Sequence, residues 1–340
     1  MSTQQTGRPT SRSGNPVSDG TEQSPLRAPI RAWRPGDGWG WVWGEEDELG
    51  ALNAMTPQSI LEALGRLQTG RIFDLGVELE RKSFVAPTHP NIEVVSYRTP
   101  EGLKRQAEVP GFDDPDGVSF RTNVVIISDH AGTQIDGLCH ATFGADNHWY
   151  NGYTDARDAG DFGADRASAV SIPPIVLGAV LADVAGQIGV DALDAGFAID
   201  SSLLEATLAA QGTEVAPGEA VFVRTGSLRN WGRSGRDHQA LSGSDTAGIT
   251  LEAARWLVEE KGAILIGSDT STLEVLPPVD GDNASPVHKY LLVDQGVHMG
   301  ELHYLEELAS SATYRFCYVA LTPKIRGTTG GFALRPIAIV

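Results

Sequence analysis

The stretch from His130 to His140, H-A-G-T-Q-I-D-G-L-C-H, carries two imidazoles, an amide and a carboxylate directly behind the apolar run at 124–127. A nitrogen from His130 and oxygens from Gln134 and Asp136, with one anionic charge among them, make the kind of set that holds a divalent cation. Taken singly, each residue has an ordinary explanation: a histidine near a strand end is satisfied by a carbonyl, and an aspartate after a strand is a cap. The group points further. In extended backbone, residues 130, 132, 134 and 136 share one face while Ala131, Thr133 and Ile135 take the other, and Gly132 leaves the first face open. A cation held there makes water acidic enough to attack near neutral pH, and His140, four residues beyond Asp136, is placed to move the proton.

Aromatic residues follow closely. Phe143, His148, Trp149 and Tyr150 either wall a flat, partly apolar ligand or belong to the core. Arg224 and Trp231, after a strand-like stretch, are weaker candidates for gripping a substrate carboxylate or ring. Cys139 adjoins the motif as a nucleophile or as a buried neutral thiol. With Cys317 as the other cysteine, no disulfide framework is implied.

These side chains need a scaffold, and 340 residues with 41% hydrophobic content can bury a substantial core. Runs rich in β-branched and aromatic residues predict strands at 118–128, 220–225, 263–266 and 316–321. Helices are expected from Thr56-Pro57 to Gly70, over Ser201–Gln211 and over Thr250–Lys261. Trp33, Trp39, Trp41 and Trp43 need burial, either as an arm packed on the chain's own core or as an aromatic wall over a pocket. Residues 1–32, rich in Ser, Thr, Gln, Gly, Pro and Arg, are expected to be a disordered tail, with 33–340 forming one domain. The formal charge of -18, from 26 basic and 44 acidic side chains, argues against nucleic acid or an anionic membrane as partner. No apolar run is long enough to span a membrane and the N-terminus lacks a secretory h-region, so a soluble cytoplasmic protein is expected.

The motif resembles that of the cyclase family of metal-dependent hydrolases, which includes bacterial kynurenine formamidases and isatin hydrolases. Its pattern, H-x-G-T-H-x-D-x-x-x-H, is matched by His130, Gly132, Thr133, Asp136 and His140, while Gln134 stands where most members have a second histidine. Further blocks resemble the family in the same order: W-G-E-E-D-E-L-G-A-L-N at 43–53, Gly267-Ser-Asp-Thr, His288-Lys-Tyr-Leu-Leu, Glu301-Leu and Gly330-Gly-Phe-Ala-Leu-Arg-Pro-Ile-Ala. The resemblance implies an α/β domain with a central mixed sheet or barrel-like core flanked by helices, the swivelling β/α arrangement. It implies His130, Gln134 and Asp136 as first-metal ligands, with Asp136 bridging to a second ion on His288 and Glu301, and His140 as acid or base. Nothing local marks His288 or Glu301.

The expected activity is hydrolysis of an amide or lactone in a small cyclic or aromatic substrate. The alternatives are a polyketide-type cyclase or dehydratase, and a catalytically silent metal- or ligand-binding homologue. An amide oxygen is a harder and weaker donor than imidazole, so Gln134 leaves Mn(II) and Zn(II) both open, with one or two ions per subunit. The resemblance also implies a homodimer or a higher even assembly.

Overall fold

Aliphatic residues fill Ile175–Asp183, a nine-residue strand buried along almost its whole length, so both of its faces must be covered. In the computed structural model, which describes residues 26–105, 116–231, 238–279 and 283–340, this strand lies near the middle of a nine-stranded sheet. The order across the sheet is Ile72–Asp74, Ile337–Ile339, Arg315–Ala320, Ile175–Asp183, Ala220–Arg224, Leu265–Ser268, His298–Glu301, Gln134–Asp136 and Gly330–Gly331. The four strands from Ile175–Asp183 to His298–Glu301 run parallel, and the outer pairings are antiparallel. The sheet curls into a half-barrel flanked by helices, the mixed α/β fold expected.

Local chemistry accounts for the helices. Thr56 and Ser59 form a reciprocal capping box over Pro57–Gly65. That helix ends before Gly70, with Arg66 as its C-cap. Asp200 caps Ser201–Ala210, and Thr250 accepts from the Ala253 N–H. The helix expected to Lys261 is α-helical only over Leu251–Arg255 and widens into π turns over Trp256–Glu260.

The tryptophan-rich segment packs on the chain's own core. The indole N–H groups of Trp33, Trp39 and Trp41 donate to the carbonyls of Val258, Ala263 and Val293, and Trp39 and Trp43 are buried. Just before it, the Arg27 N–H donates to Asn53 Oδ1 and the Ile30 N–H to the Val42 carbonyl. Of the tail expected at 1–32, residues 1–25 lie outside the described residues.

One predicted strand is displaced. The run expected at 118–128 is a strand only over Thr122–Ile126, and it pairs with Glu93–Arg98 in a two-stranded hairpin outside the main sheet. Val94, Val95, Tyr97, Val124, Val125 and Ile126 are exposed on it. Among the described residues, no helix is long and apolar enough to cross a membrane.

Candidate metal centre

Parallel strands deliver their carboxyl ends to one edge of a sheet, where loops can converge on a ligand. Leu265–Ser268 and His298–Glu301 end at this edge, and Glu301 pairs in register with Gln134 of the neighbouring antiparallel strand. That register brings together two residues far apart in sequence. His130 arrives differently from the extended face expected for it. Only Gln134–Asp136 is strand; residues 129–133 turn, and Gly132 sits at φ +69° with the Leu79 side chain so close that a Cβ there would lie 2.6 Å from it. The glycine serves a reversal packed on Leu79, not an open face. After the strand, the Gly137 N–H donates to the Thr329 carbonyl and the His140 N–H to the Gly137 carbonyl, turning His140 back over the site. His288 comes from the turn Pro286–His288.

The six side chains expected at the site converge. Asp136 Oδ1 lies 3.3 Å from His130 Nδ1, and Asp136 Oδ2 lies 4.0 Å from His288 Nε2. Glu301 Oε1 is 3.6 Å from the same His288 nitrogen, and Glu301 Oε2 accepts from the Gln134 amide at 2.8 Å. That amide nitrogen also lies 2.9 Å from His130 Nδ1 and donates to Asp136 Oδ1 at 3.4 Å. The His140 ring lies against the His130 ring, tilted by 31° with centroids 3.9 Å apart.

Electrostatics follow from burial and crowding. Burial opposes ionisation of Asp136, but His140, His130 and His288 together hold its carboxyl well below the usual range. Burial, reinforced by the Asp136 charge, pushes Glu301 up to about 7. Burial pulls His288 down, yet its hydrogen bonds to Glu274 and Glu301 win and raise it to about 10. Burial lowers His140 to about 4, so its ring is neutral near pH 7.

The family described as "Putative cyclase" matches residues 73–275. The chain belongs to the cyclase family. A crystal structure described as a novel cyclase shares 28% identity and a TM-score of 0.75, covering 91% of this chain and 100% of that one. Isatin hydrolase A from Ralstonia solanacearum gives a TM-score of 0.57 at 20% identity, over 84% of this chain and 97% of its own. The enzyme of that name from Labrenzia aggregata, bound to benzyl benzoate, gives 0.55 at 20%, over 83% and 99%. No curated protein matches.

The converging donors suit a cation. Among the described residues Asp136 Oδ2 and Gln134 Oε1 are both buried without a hydrogen-bond partner, which is costly for an isolated carboxylate oxygen. The ligand atoms of Asp136, His288 and Glu301 lie within 4.8 Å of one another, as do those of His130, Asp136 and His140. Beside them is a cavity of about 70 Å³ lined by His89, His130, His140, His288 and Glu301.

The substrate candidates fare otherwise. Trp149 and Tyr150 are core: both are buried, and Tyr150 donates to Asp47 Oδ2 at 2.7 Å. Phe143 is exposed under the Lys289 ammonium, and His148 pairs with Asp146. Neither lines the donor cavity. Arg224 is buried and held by Asp183, Glu306 and the Asp191 carbonyl, so its guanidinium is structural. Trp231 is buried, donating to the Glu78 carbonyl. Burial pushes the Cys139 thiol up to about 12, which removes it as a nucleophile.

Several neighbours carried no sequence signal. Glu274, buried, accepts from His288 Nδ1 and from the Val287 N–H. His130 Nε2 lies 2.8 Å from Thr329 Oγ1, which donates to Asp129 Oδ2. His89 stacks on the outer face of His130. Each is a lone residue in a loop.

Proposed function

We propose that the protein is a metal-dependent hydrolase that holds one divalent ion, Mn(II) or Zn(II), on Asp136, His288 and Glu301 and opens an amide or lactone bond in a small substrate. The observation that carries this reading is the distribution of unused donors. Asp136 and Glu301 each turn one oxygen to Gln134 and the other toward His288 Nε2, and Asp136 Oδ2 has no hydrogen-bond partner among the described residues. Oxygen, oxygen and imidazole nitrogen accept either metal.

When bound, such an ion supplies acidified water and polarisation of a carbonyl oxygen. The chain supplies the rest. Glu274 takes the His288 Nδ1–H and so leaves Nε2 aimed at the two carboxylates. Gln134 clamps Asp136 and Glu301 from behind, and His130 and Thr329 brace that face. His140, neutral near pH 7 and lining the cavity, accepts a proton from water there and returns it to the departing nitrogen or oxygen.

The test is a screen of small amides and lactones against metal-stripped protein, with and without Mn(II) or Zn(II). Activity should need the ion. Hydrolysis that persists in protein verified to be metal-free would sink the mechanism.

A further inference from the structure

A second cavity, of about 200 Å³, adjoins the donor-lined one and shares Phe84, Ser271 and Leu302 as walls. The two differ in size and character. The first, at about 70 Å³, has room for a reacting carbonyl and a few waters, and its walls include four imidazoles and the Glu301 carboxylate. The second adds Ala192, Leu193 and Leu241 to the shared apolar walls, with the exposed Arg229 and Asp245 where it meets solvent. Most of its hydroxyls are already engaged: Ser227 with Thr225, Thr246 with Thr272, and Thr270 with Ser268. Ser271 is different. It lines both cavities, and its hydroxyl has no hydrogen-bond partner among the described residues.

We propose that this chamber is the subsite for the non-reacting part of the substrate and that its dimensions select a single six-membered ring. A cavity of about 150 Å³ is enough to bind benzene, so 200 Å³ holds one ring with a small substituent, and a fused pair would have to extend past Arg229 and Asp245 into solvent. The ring lies against Phe84, Leu193, Leu241 and Leu302, while the free Ser271 hydroxyl at the junction bonds a polar atom next to the reacting carbonyl. Ala192 sets the space available, since a larger side chain there would fill it. The substrate is then a monocyclic carbonyl compound. This deepens the hydrolase reading and rests on it for which end of the ligand reacts.

Ketones test the chamber without turnover. Wild type, Ala192→Phe and Leu241→Ala are each titrated with acetophenone, 2-butanone, 2-acetonaphthone and, separately, Mn(II). Burying a ring should make acetophenone bind wild type at least about tenfold more tightly than 2-butanone. Ala192→Phe should erase that preference, and Leu241→Ala should move it toward 2-acetonaphthone, while all three proteins bind Mn(II) alike. If neither variant changes the ketone preference, or wild type has none, the chamber is not the ring subsite, and Mn(II) binding would leave the hydrolase reading standing. If the preferences shift as stated but no variant or wild type binds Mn(II), the subsite holds and the metal reading fails.

Discussion

Toward His130, the Asp136 carboxylate meets a face already filled: Oδ1 has the His130 ring at 3.3 Å and the Gln134 amide at 3.4 Å. Toward His288 it meets an open one, where Oδ2 has no hydrogen-bond partner among the described residues and His288 Nε2 is 4.0 Å away. The residues on the two faces look alike on paper, with imidazole and carbonyl or carboxylate oxygen on both. What separates them is which lone pairs the protein has already used. An amide brings two N–H donors where an imidazole ligand would bring a lone pair, so Gln134 closes one face by hydrogen bonding and leaves the other to a cation.

The largest expected effect comes from the one residue common to both faces. Asp136→Asn removes the central anion, and metal content after dialysis should fall below a tenth of wild type, with activity down about 10³-fold or more. Metal analysis and initial rates check this. A variant that kept its metal would mean that neither face depends on Asp136.

Glu274→Gln distinguishes the faces. It touches only the His288 side, where the Nδ1–H would lose a carboxylate acceptor. Loss of such a supporting group costs about 10- to 100-fold in metal affinity, whereas Thr329→Val on the His130 side should change it by less than about threefold. Equal losses from the two variants would erase the asymmetry.

Proton competition gives a smaller effect with a definite sign. His288, raised to about 10, and Glu301, raised to about 7, must shed protons before a cation can take their place. Affinity for Mn(II) should therefore rise with pH, about tenfold per unit between pH 7 and 10, where one proton leaves per ion bound. The metal-free protein should move the other way. Both folded-state pKa values lie above the unfolded ones, so the stability these groups contribute is complete below about pH 4.5 and is lost as pH climbs through 7 and then 10. Thermal melts of stripped protein at pH 6 and 9 check the sign, and calorimetry in two buffers counts the protons.

The asymmetry also explains what the sequence could and could not reveal. His130, Gln134, Asp136 and His140 are close in sequence, so their types and spacing were legible as a group. His288 and Glu301 were legible only through family resemblance, because strand register and a distant helical turn, not local spacing, carry them to Asp136. Glu274 looks like any acidic residue before a proline-rich loop. Trp149 and Tyr150 misled because proximity to a motif does not fix which way a ring points, and both rings are buried. The strands Ala220–Arg224 and Arg315–Ala320 were legible from their composition. Thr122–Ile126 has the same composition, yet it pairs outside the main sheet, since β-propensity does not specify the partner.

Gln134→His attacks the comparison at its origin. The substitution removes the amide donor that engages Asp136 Oδ1 and Glu301 Oε2 and puts a third imidazole beside His130 and His140. The closed face then has two oriented nitrogens and a freed carboxylate oxygen, a set that favours Zn(II). Stoichiometry in a Zn(II) titration should rise from one to two ions per chain, while affinity at the His288 face, which loses a supporting hydrogen bond to each carboxylate, should fall by about 10- to 100-fold. If the count stays at one and the single affinity rises sharply, Gln134 is itself a ligand of the wild-type ion. The ion would then sit on the His130 face after all, with Oε1, buried and without a partner, as the donor that holds it.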